Sequence, residues 1–330
     1  MKVNFNNWFV SILITILLLI ILEILARIFL FGYLGDSNVG VDARVKYLEY
    51  RPFTMWGKDL DRESELFSSS VKKNDFKILL VGGSTAEDFD DYHNELKNSL
   101  SRIIKNKRLK ILNIASGGYV ARQEFISLGL VAEKINPDLI IVIDGANDLI
   151  HSIRPGVIPG TTYVDSSYEA ILGKPLLAPF IHILQNSQLY NGLNRALVRV
   201  LGTKEKKKNI LKAEEIYKES IRFMNNYAKG KETPIIFVLQ PFAPFSSYEE
   251  DLKATERFKY REEIIKTSFE NLGISFDNIC HIDSNKHIKS LNSPIGFSDD
   301  VHFKDKRGYS FLSEIISNKI KECYPNLNMK

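Results

Sequence analysis

The chain has 330 residues, 44% of them hydrophobic, and a formal net charge of +4. This composition is ordinary for a globular protein with a sizeable core, built as one large domain or two small ones. With only two cysteines the fold cannot depend on a disulfide framework, and no stripe of interleaved arginines and aromatic residues indicates a nucleic-acid partner.

The amino-terminal 34 residues are the clearest organisational feature of the chain. From Trp8 to Leu34 the sequence is almost wholly apolar, and only Glu23 and Arg27 are charged. These two side chains stand four residues apart and could pair on one face of a helix. A helix of this length spans the roughly 30 Å of hydrocarbon in a bilayer, so residues 1–34 are expected to form an uncleaved, single-pass transmembrane anchor.

A cleavable signal peptide is the alternative to an anchor. Its apolar region is about 7–15 residues long and is followed by small residues at a cleavage site. No such site is obvious here, and the apolar run continues through residues 28–31. More positive charges follow the segment than precede it, which weakly favours a cytoplasmic main domain, but long domains cross membranes largely regardless of nearby charge. The residues therefore leave the membrane side open.

Residues 35–75 are expected to form a connector to the main domain, residues 76–330. The connector has no sustained periodicity, and Ser68–Ser70 indicate a loop before the first strand. It has too many aromatic residues for a floppy tether, so part of it is expected to pack on the membrane surface or on the main domain. The large side chains behind this expectation are Tyr47, Tyr50, Phe53, Met55 and Trp56.

From Phe76 onward, apolar runs typical of buried strands alternate with patterns typical of helices. The predicted strands are 77–81, 109–114, 138–143, 234–239 and 280–282. The predicted helices are 87–104, 122–134, 187–200, 209–229, 248–272 and 306–323. This alternation indicates an α/β protein with a mostly parallel sheet covered on both faces. Ligands bind at the carboxyl ends of the strands in such a sheet, and Ser84 and Asn147 each follow one of those ends.

Cys280 and Cys323 are the two cysteines, and neither lies in a metal-ligand spacing such as C-x-x-C. Cys280 lies in the apolar run 278–282 and is expected to be a small, buried hydrophobic side chain. A disulfide between the two cysteines stays open as the alternative, since two cysteines allow a single pairing.

Ser84 follows two glycines at the turn between the first predicted strand and the next helix. A serine in such a turn can be exposed as a nucleophile, with its backbone N–H directed into the site. The alternatives are a helix cap or a phosphate-binding loop. A Walker A loop would need a lysine beside the hydroxyl, and a dinucleotide-binding loop would need three spaced glycines; neither is present.

Two further positions lie after neighbouring strands. Asn147 could donate its side-chain amide to the negatively charged oxygen of a tetrahedral intermediate, and the alternative is a turn or a helix cap. Gly118 could donate its backbone N–H to the same oxygen, because glycine lets the backbone approach a ligand closely. On its own, Gly118 would be interpreted as an ordinary loop glycine.

His302 lies three residues after Asp299, just before the last predicted helix. The two side chains can converge in a turn, so that the carboxylate orients the imidazole and stabilises its charged form. Asp300 is expected to be a surface acid of the same loop. Three other histidines lack such company and are expected to be non-catalytic: His151, His281 and His287.

With these residues in this order, the chain resembles the SGNH (GDSL-like) hydrolase family. Enzymes of that family carry a serine in the first motif, a glycine in the second, an asparagine in the third and Asp-x-x-His in the last. The matching residues here are Ser84, Gly118, Asn147, Asp299 and His302. The resemblance covers about residues 76–323 and includes Val238–Pro241. The name-giving motif has Asp where this chain has Gly83 and Leu where it has Thr85, and these departures leave the nucleophile assignment standing.

The resemblance implies a three-layer α/β/α domain with a five-stranded, flavodoxin-like sheet. It also implies a serine esterase that works through an acyl-enzyme, without a metal or another cofactor. Ser84 would be the nucleophile, His302 the base and Asp299 its orienting acid. The oxyanion hole would combine the backbone N–H groups of Ser84 and Gly118 with the amide of Asn147.

The α/β-hydrolase fold is the nearest rival among serine esterases. Its G-x-S-x-G motif would need a glycine where this chain has Ala86. Its acid and histidine are also usually far apart along the chain, whereas here they are three residues apart. The sequence therefore disfavours this fold.

An anchored member of the SGNH family suits acyl esters on a cell-envelope glycan or lipid, with the catalytic domain extracytoplasmic. The expected reaction is O-deacetylation of a polysaccharide, and residues 149–200 are expected to form substrate-side loops or a lid. Two other functions stay open. One is an O-acyltransferase that discharges the same acyl-enzyme onto a glycan, and the other is a non-catalytic, membrane-tethered binding protein. The oligomeric state is not predicted.

Overall fold

The computed structural model describes residues 5–34, 54, 56–153, 158–161, 187, 203–253, 262–273, 276 and 278–327. The chain divides into two compact units. The larger comprises residues 48–163 and 206–330, and the smaller comprises residues 1–47 and 164–205. The larger unit contains the sheet and all the candidate site residues.

A five-stranded parallel sheet forms the centre of the larger unit. Its strands are β1 (Asp75–Gly82), β2 (Arg108–Asn113), β3 (Leu139–Asp144), β4 (Ile235–Leu239) and β5 (His281–Asp283). They lie in the order β2-β1-β3-β4-β5, and each neighbouring pair is parallel. This is the flavodoxin-like order, in which the winding reverses between β1 and β3 and leaves a crevice at their carboxyl ends. The predicted α/β class and the mostly parallel five-stranded sheet are confirmed.

Helices connect these strands along the described chain. They are α1 (Phe5–Leu34), α2 (Leu60–Ser70), α3 (Ser84–Glu87), α4 (His93–Ser101), α5 (Ala121–Ile135), α6 (Ala146–Ser152), α7 (Thr203–Gly230), α8 (Glu249–Lys253), α9 (Glu262–Gly273), α10 (Ser284–Lys289) and α11 (Lys306–Cys323). Short 3₁₀ turns lie at Asp88–Asp90 and Ala243–Phe245.

The sheet carries a hydrophobic core on each face, because successive side chains of a strand point to opposite sides. In β1, Leu79 and Val81 pack with α5, α7 and α9, whereas Ile78 and Leu80 pack with α4 and α11. All of β3 is buried, as expected of a central strand covered on both faces. The result is a three-layer α/β/α arrangement.

The prediction of one continuous helix over residues 87–104 is wrong. The chain instead forms α3, the 3₁₀ turn at Asp88–Asp90 and then α4. Aspartate is a poor helix former, and the break turns Phe89 into the core, where it is 2% exposed. Tyr92 stacks on Tyr309 of α11, with ring centroids 4.2 Å apart, and this contact fixes the second helix against the last one.

The connector contains a helix, α2, that the sequence analysis does not predict. Asp59 caps its amino end by accepting a hydrogen bond from the Arg62 backbone N–H at 3.1 Å. Phe67 anchors it in the core on one face of the sheet. The loop predicted at Ser68–Ser70 is wrong: these residues form the last turn, where the Ser69 and Ser70 hydroxyls each donate to a backbone carbonyl three residues earlier.

Two other predicted helices can be compared only in part. The helix predicted over 248–272 is described as α8 and α9, and residues 254–261 between them lie outside the described residues. The helix predicted over 187–200 lies outside the described residues, except for residue 187. Most of the lid predicted over 149–200 lies outside the described residues too. The short helix α10 is an addition to the predicted elements.

In the smaller unit, α1 is one uninterrupted helix. Its side chains are described for residues 10–25, where the large apolar ones are 42–57% exposed apart from the half-buried Ile12. The Glu23 carboxylate accepts a hydrogen bond from the Ser187 hydroxyl at 2.7 Å, and the side chain of Arg27, its expected partner, lies outside the described set. Within the described portion of the chain, no helix meets both the length and the apolar content of a membrane crossing. The anchor over residues 1–34 stays a prediction.

Cys280 and Cys323 form a disulfide, with Cα atoms 6.0 Å apart. The expectation that Cys280 is an unpaired hydrophobic side chain is therefore wrong, and the alternative pairing is correct. Cys280 directly precedes β5 and Cys323 ends α11, so the bond ties the amino end of an edge strand to the last helix. The candidate site lies at the opposite, carboxyl ends of the strands.

Removing this disulfide is expected to destabilise the fold without changing catalysis. The bond closes a loop with a sequence separation of 43 residues, and a crosslink of this kind stabilises by about 2–4 kcal/mol, chiefly by restricting the unfolded chain. Thermal unfolding of the wild type should therefore shift to lower temperature in dithiothreitol. The double variant Cys280→Ser/Cys323→Ser should unfold at that lower temperature with or without the reductant. Equal midpoints for the oxidised and reduced wild type would contradict the prediction.

Candidate active site

Ser84 lies at the carboxyl end of β1, where the strand turns directly into a helix. β1 ends at Gly82, Gly83 is the amino cap of α3, and Ser84 is its first residue. The first N–H groups of a helix have no acceptor within that helix. The backbone N–H of Ser84 can therefore donate a hydrogen bond to a ligand. Ser84 is 7% exposed, so it is largely buried but still accessible to solvent.

His302 connects this serine to a carboxylate from the loop before α11. Its Nε2 lies 2.6 Å from Ser84 Oγ, and its Nδ1 lies 2.7 Å from Asp299 Oδ2. Since an ionised carboxylate only accepts hydrogen bonds, Nδ1–H donates to Asp299 and Nε2 is left to accept from the serine hydroxyl. The structure thus brings together Ser84, His302 and Asp299, which are more than two hundred residues apart in sequence at the extremes.

Asp299 holds its own loop as well as the imidazole. Its Oδ1 accepts hydrogen bonds from the backbone N–H groups of Val301 and His302, at 2.9 and 2.8 Å. Burial raises the pKa of this carboxyl, but the His302 hydrogen bond, the nearby imidazole charge and the two backbone N–H donors together lower the pKa below its ordinary value. Asp299 is therefore an anion at neutral pH, and its Oδ2 is the carboxylate oxygen that accepts from the imidazole.

Asn147 lies at the start of α6 and joins the loops that follow three strands. Its Nδ2 donates to the Tyr119 carbonyl at 2.8 Å, which ties the β3 loop to the β2 loop. A Cβ atom at Gly83 would lie 2.6 Å from the same nitrogen, so the β1 loop is in close contact too. A primary amide has two N–H groups, and the one not used on Tyr119 is available for an oxyanion.

Gly118 lies one residue before Tyr119, in the loop after β2. Its φ angle is +84°, a left-handed conformation that glycine adopts without strain. Gly118 is half-buried, unlike its buried neighbours Gly117 and Tyr119. The loops that carry Ser84, Gly118 and Asn147 therefore meet at one edge of the sheet, where the Asn147 amide contacts the other two loops.

Replacing Gly83 by alanine is expected to lower kcat/KM by up to about 100-fold, the cost of weakening one oxyanion donor. The added methyl group would displace the Asn147 amide from its position against Tyr119. Steady-state ester hydrolysis measures the effect. Gly129→Ala is the matched control, since a Cβ atom there meets nothing within 4 Å; being within α5, it should leave the rate unchanged and stabilise the fold slightly. A Gly83→Ala variant with the wild-type rate would contradict this role for Asn147.

Thr85 and Gln240 are positioning residues that the sequence analysis misses. Thr85 is fully buried; its hydroxyl donates to the Val301 carbonyl at 3.2 Å and accepts from Gln240 Nε2 at 3.0 Å. This bridge connects α3, the loop after β4 and the loop that carries His302. By sequence alone, Thr85 is a minor departure from the family motif. A hydroxyl beside the nucleophile, together with a glutamine at the end of an apolar strand, is the signal that could have indicated the bridge.

A buried acidic cluster supports Asn147 from behind. Asp144 ends β3 and accepts from the Tyr217 hydroxyl at 2.7 Å, and Asp148 accepts from the Ala121 backbone N–H with both oxygens at 3.2 Å. Burial, together with the charge of Asp144, raises the pKa of Glu124 well above its ordinary value, so Glu124 is protonated at neutral pH. These bonds fix the two residues that flank the Gly145–Asn147 turn.

Comparison with known proteins gives similarity at the level of solved structures alone. No protein-family model matches the chain, and no curated protein matches it. The chain is similar to a GDSL-like lipase from Bacteroides thetaiotaomicron, with 13% identity and a TM-score of 0.43, covering 82% of this chain and 98% of that one. It is also similar to a lipase/acylhydrolase from Enterococcus faecalis, with 15% identity and a TM-score of 0.42, covering 75% and 96%.

An acetylxylan esterase from Geobacillus stearothermophilus gives a similar result, with 14% identity, a TM-score of 0.41, and 76% and 96% of the two chains covered. TM-scores below 0.5 are too low to support an inference about activity. The function is therefore inferred from the geometry of the site.

Proposed function

We propose that the protein is a serine-dependent carboxylic ester hydrolase of the SGNH type. The observation that carries this proposal is the continuous chain of short contacts from Asp299 through His302 to Ser84, at 2.7 and 2.6 Å. A helix cap needs no imidazole on its hydroxyl, and a surface histidine needs no carboxylate on its other nitrogen. The three groups in this order are what activates a serine as a nucleophile.

The reaction follows from these contacts. As Ser84 Oγ attacks the ester carbonyl carbon, His302 Nε2 takes the hydroxyl proton, and Asp299 stabilises the resulting imidazolium. The new oxyanion is held by the Ser84 and Gly118 backbone N–H groups and the free N–H of Asn147. Collapse of the intermediate breaks the ester C–O bond, and His302 returns the proton to the departing alcohol. Water then attacks the acyl-enzyme by the same route and releases the acid. No metal or organic cofactor takes part in this proposal.

The substrate class we propose is an O-acyl ester, with O-acetyl preferred, on a cell-envelope glycan or lipid. This follows from a proposed location at a membrane, with the catalytic unit on its extracytoplasmic side. The apolar run from Trp8 to Leu34 and the exposed apolar side chains of α1 support membrane attachment. The Cys280–Cys323 disulfide supports the extracytoplasmic side, since disulfides form and persist in oxidising compartments.

The decisive test is covalent labelling of the full chain with a fluorophosphonate. The expected result is a single adduct on Ser84, identified by peptide mass spectrometry. The rate of p-nitrophenyl acetate hydrolysis should fall in proportion to the fraction of protein labelled. Absence of an adduct on Ser84 and absence of hydrolysis would overturn the proposal and favour a non-catalytic binding protein. Protease accessibility of the catalytic unit in intact cells tests the membrane side.

An O-acyltransferase shares every step up to the acyl-enzyme. Labelling therefore cannot separate it from a hydrolase, but the fate of the acyl group can. A radiolabelled acetyl ester is incubated with the enzyme in the presence and absence of a de-O-acetylated envelope glycan. A hydrolase releases acetate at the same rate in both reactions. Transfer of the label to the glycan would replace hydrolysis with acyl transfer as the function.

A further inference from the structure

Part of the predicted connector is packed against the loop that carries Gly118. We call this part the strap and define it as Thr54 and residues 56–58. It belongs to the same compact unit as the sheet. Trp56 is 2% exposed and belongs to the buried hydrophobic side chains, although it precedes the first strand by almost twenty residues. A simple tether needs no such burial.

Trp56 holds the loop after β2 by two reciprocal hydrogen bonds. Its indole Nε1–H donates to the Gly117 carbonyl at 3.1 Å, and the Tyr119 hydroxyl donates back to the Trp56 carbonyl. The two rings meet edge to face, with centroids 5.7 Å apart and an interplanar angle of 69°. Gly118 lies between the two bonded residues, and a Cβ atom there would be 3.7 Å from Trp56 Cζ2. The indole therefore lies against the Gly118 backbone.

The strap is itself fixed on both sides of this contact. Gln123 Nε2, in the first turn of α5, donates to the Thr54 carbonyl at 2.8 Å. Lys58 Nζ donates to the Asn113 carbonyl at the end of β2, at 2.9 Å, and pairs with Asp90 at 2.6 Å. The strap thus connects the elements that precede and follow the loop, so the indole is held at a defined position above Gly118.

The loop needs an external hold because its own residues cannot fix the peptide planes. Gly117 and Gly118 have no side chains to pack, and glycine backbones reorient at little cost. Within the loop, Tyr119 N–H donates to the Ser116 carbonyl at 3.1 Å, which constrains its ends but leaves the Gly117–Gly118 peptide free of that bond. The nitrogen of this peptide is the Gly118 N–H, and its carbonyl is the one that Trp56 binds. A hydrogen bond to that oxygen sets the direction of the N–H on the same rigid peptide plane.

We infer that Trp56 is a positioning residue for catalysis, which aims the Gly118 N–H at the oxyanion by binding the carbonyl of the same peptide. This inference rests on the proposed function. Trp56 is buried and acts through Gly118, and a misaimed donor lowers the rate of the chemical step more than substrate affinity. The segment between the proposed anchor and the sheet is then part of the catalytic unit rather than a passive connector.

The test is Trp56→Phe in the full chain, which keeps an aromatic ring but removes the indole N–H. Fluorophosphonate titration counts the active sites, and kcat per titrated site is expected to fall about 10–100-fold while KM changes less than threefold. The affinity for a trifluoromethyl ketone, whose adduct carries an oxyanion, should fall by a similar factor. Trp8→Phe, at the only other tryptophan of the chain, should match the wild type in all three measurements.

Hydrogen exchange provides a readout that does not depend on activity. Amides of peptides covering residues 114–120 should exchange faster in Trp56→Phe than in the wild type. A variant that loses titratable sites but keeps kcat per site would show a purely structural role and overturn the inference, as would unchanged exchange in this loop. A wild-type chain without Ser84-dependent hydrolysis would overturn the proposed function instead, and the exchange rates would then decide separately whether the strap holds the loop.

Discussion

Replacing Ser84 by alanine is expected to reduce ester hydrolysis by about 10⁶-fold, to the residual rate that binding and the oxyanion hole alone sustain. The Ser84 hydroxyl lies 2.6 Å from His302 Nε2, so its removal takes away the nucleophile that this nitrogen would activate. Steady-state hydrolysis of p-nitrophenyl acetate, extended to long times and high enzyme concentration, measures the loss.

His302→Ala is expected to cost about as much as Ser84→Ala, and the double variant no more than either single one, because the two groups act as a unit. Ser101→Ala is the control: this exposed hydroxyl donates to the Lys97 carbonyl on the surface of α4, and its loss should leave the rate unchanged. An additive double variant, or a Ser84→Ala protein that retains the wild-type rate, would show that hydrolysis occurs elsewhere or by another route.

The sheet could be predicted because its strands are encoded locally. Residues 139–143 of β3 are an unbroken apolar run, a proline and a glycine lie close to its two ends, and every residue of the strand is buried. Such a run is typical of a central parallel strand, and it fixes both the class of fold and the edge where ligands bind. The last helix, with apolar residues on one face and Asp305 as its cap, begins and ends at the predicted residues.

What could not be predicted depends on contacts between distant segments. The placement of α4 after the break depends on the stacking of Tyr92 on Tyr309, and α2 is held by burial of Phe67 in a core built from later residues. In both cases the residues that make the contact lie far apart in sequence, so a local pattern cannot indicate it. The same holds for the disulfide, since the run around Cys280 is equally compatible with an unpaired side chain.

In the candidate site, too, residues within short motifs could be predicted, whereas contacts between distant segments could not. The triad residues could be named because each lies in a short motif, and the Asp-x-x-His spacing by itself allows the carboxylate and imidazole to meet. The Thr85–Gln240 bridge and the strap could not, since they join segments through single hydrogen bonds to backbone carbonyls. Nothing in the local sequence around Trp56 points to Gly117, sixty-one residues later.

Asp299→Asn is expected to lower kcat by about 10⁴-fold at neutral pH, with the site geometry otherwise retained. The asparagine can keep its Oδ1 on the Val301 and His302 backbone N–H groups, which hold the loop. The atom that replaces Oδ2 is then the amide nitrogen, because a flip would set this nitrogen against the two backbone N–H donors. An N–H facing Nδ1 forces the proton onto Nε2, and His302 can then no longer accept the Ser84 proton.

The neighbouring acid offers a comparison, since Asp300→Asn removes a carboxylate from the same loop while leaving the Asp299–His302 hydrogen bond in place. Its rate should stay within a few-fold of the wild type, and equal losses in both variants would mean that the loop charge, rather than orientation of His302, supports catalysis.

The stability of Asp299→Asn gives a second readout. The pKa of Asp299 lies below its ordinary value of 3.8 in the folded protein, so its ionised form stabilises the fold above that pH and the contribution disappears as the pH falls through the lowered pKa. Denaturant unfolding should therefore find Asp299→Asn less stable than the wild type at pH 7, with the difference narrowing below pH 4, because protonation leaves the wild-type carboxyl as neutral as the amide that replaces it.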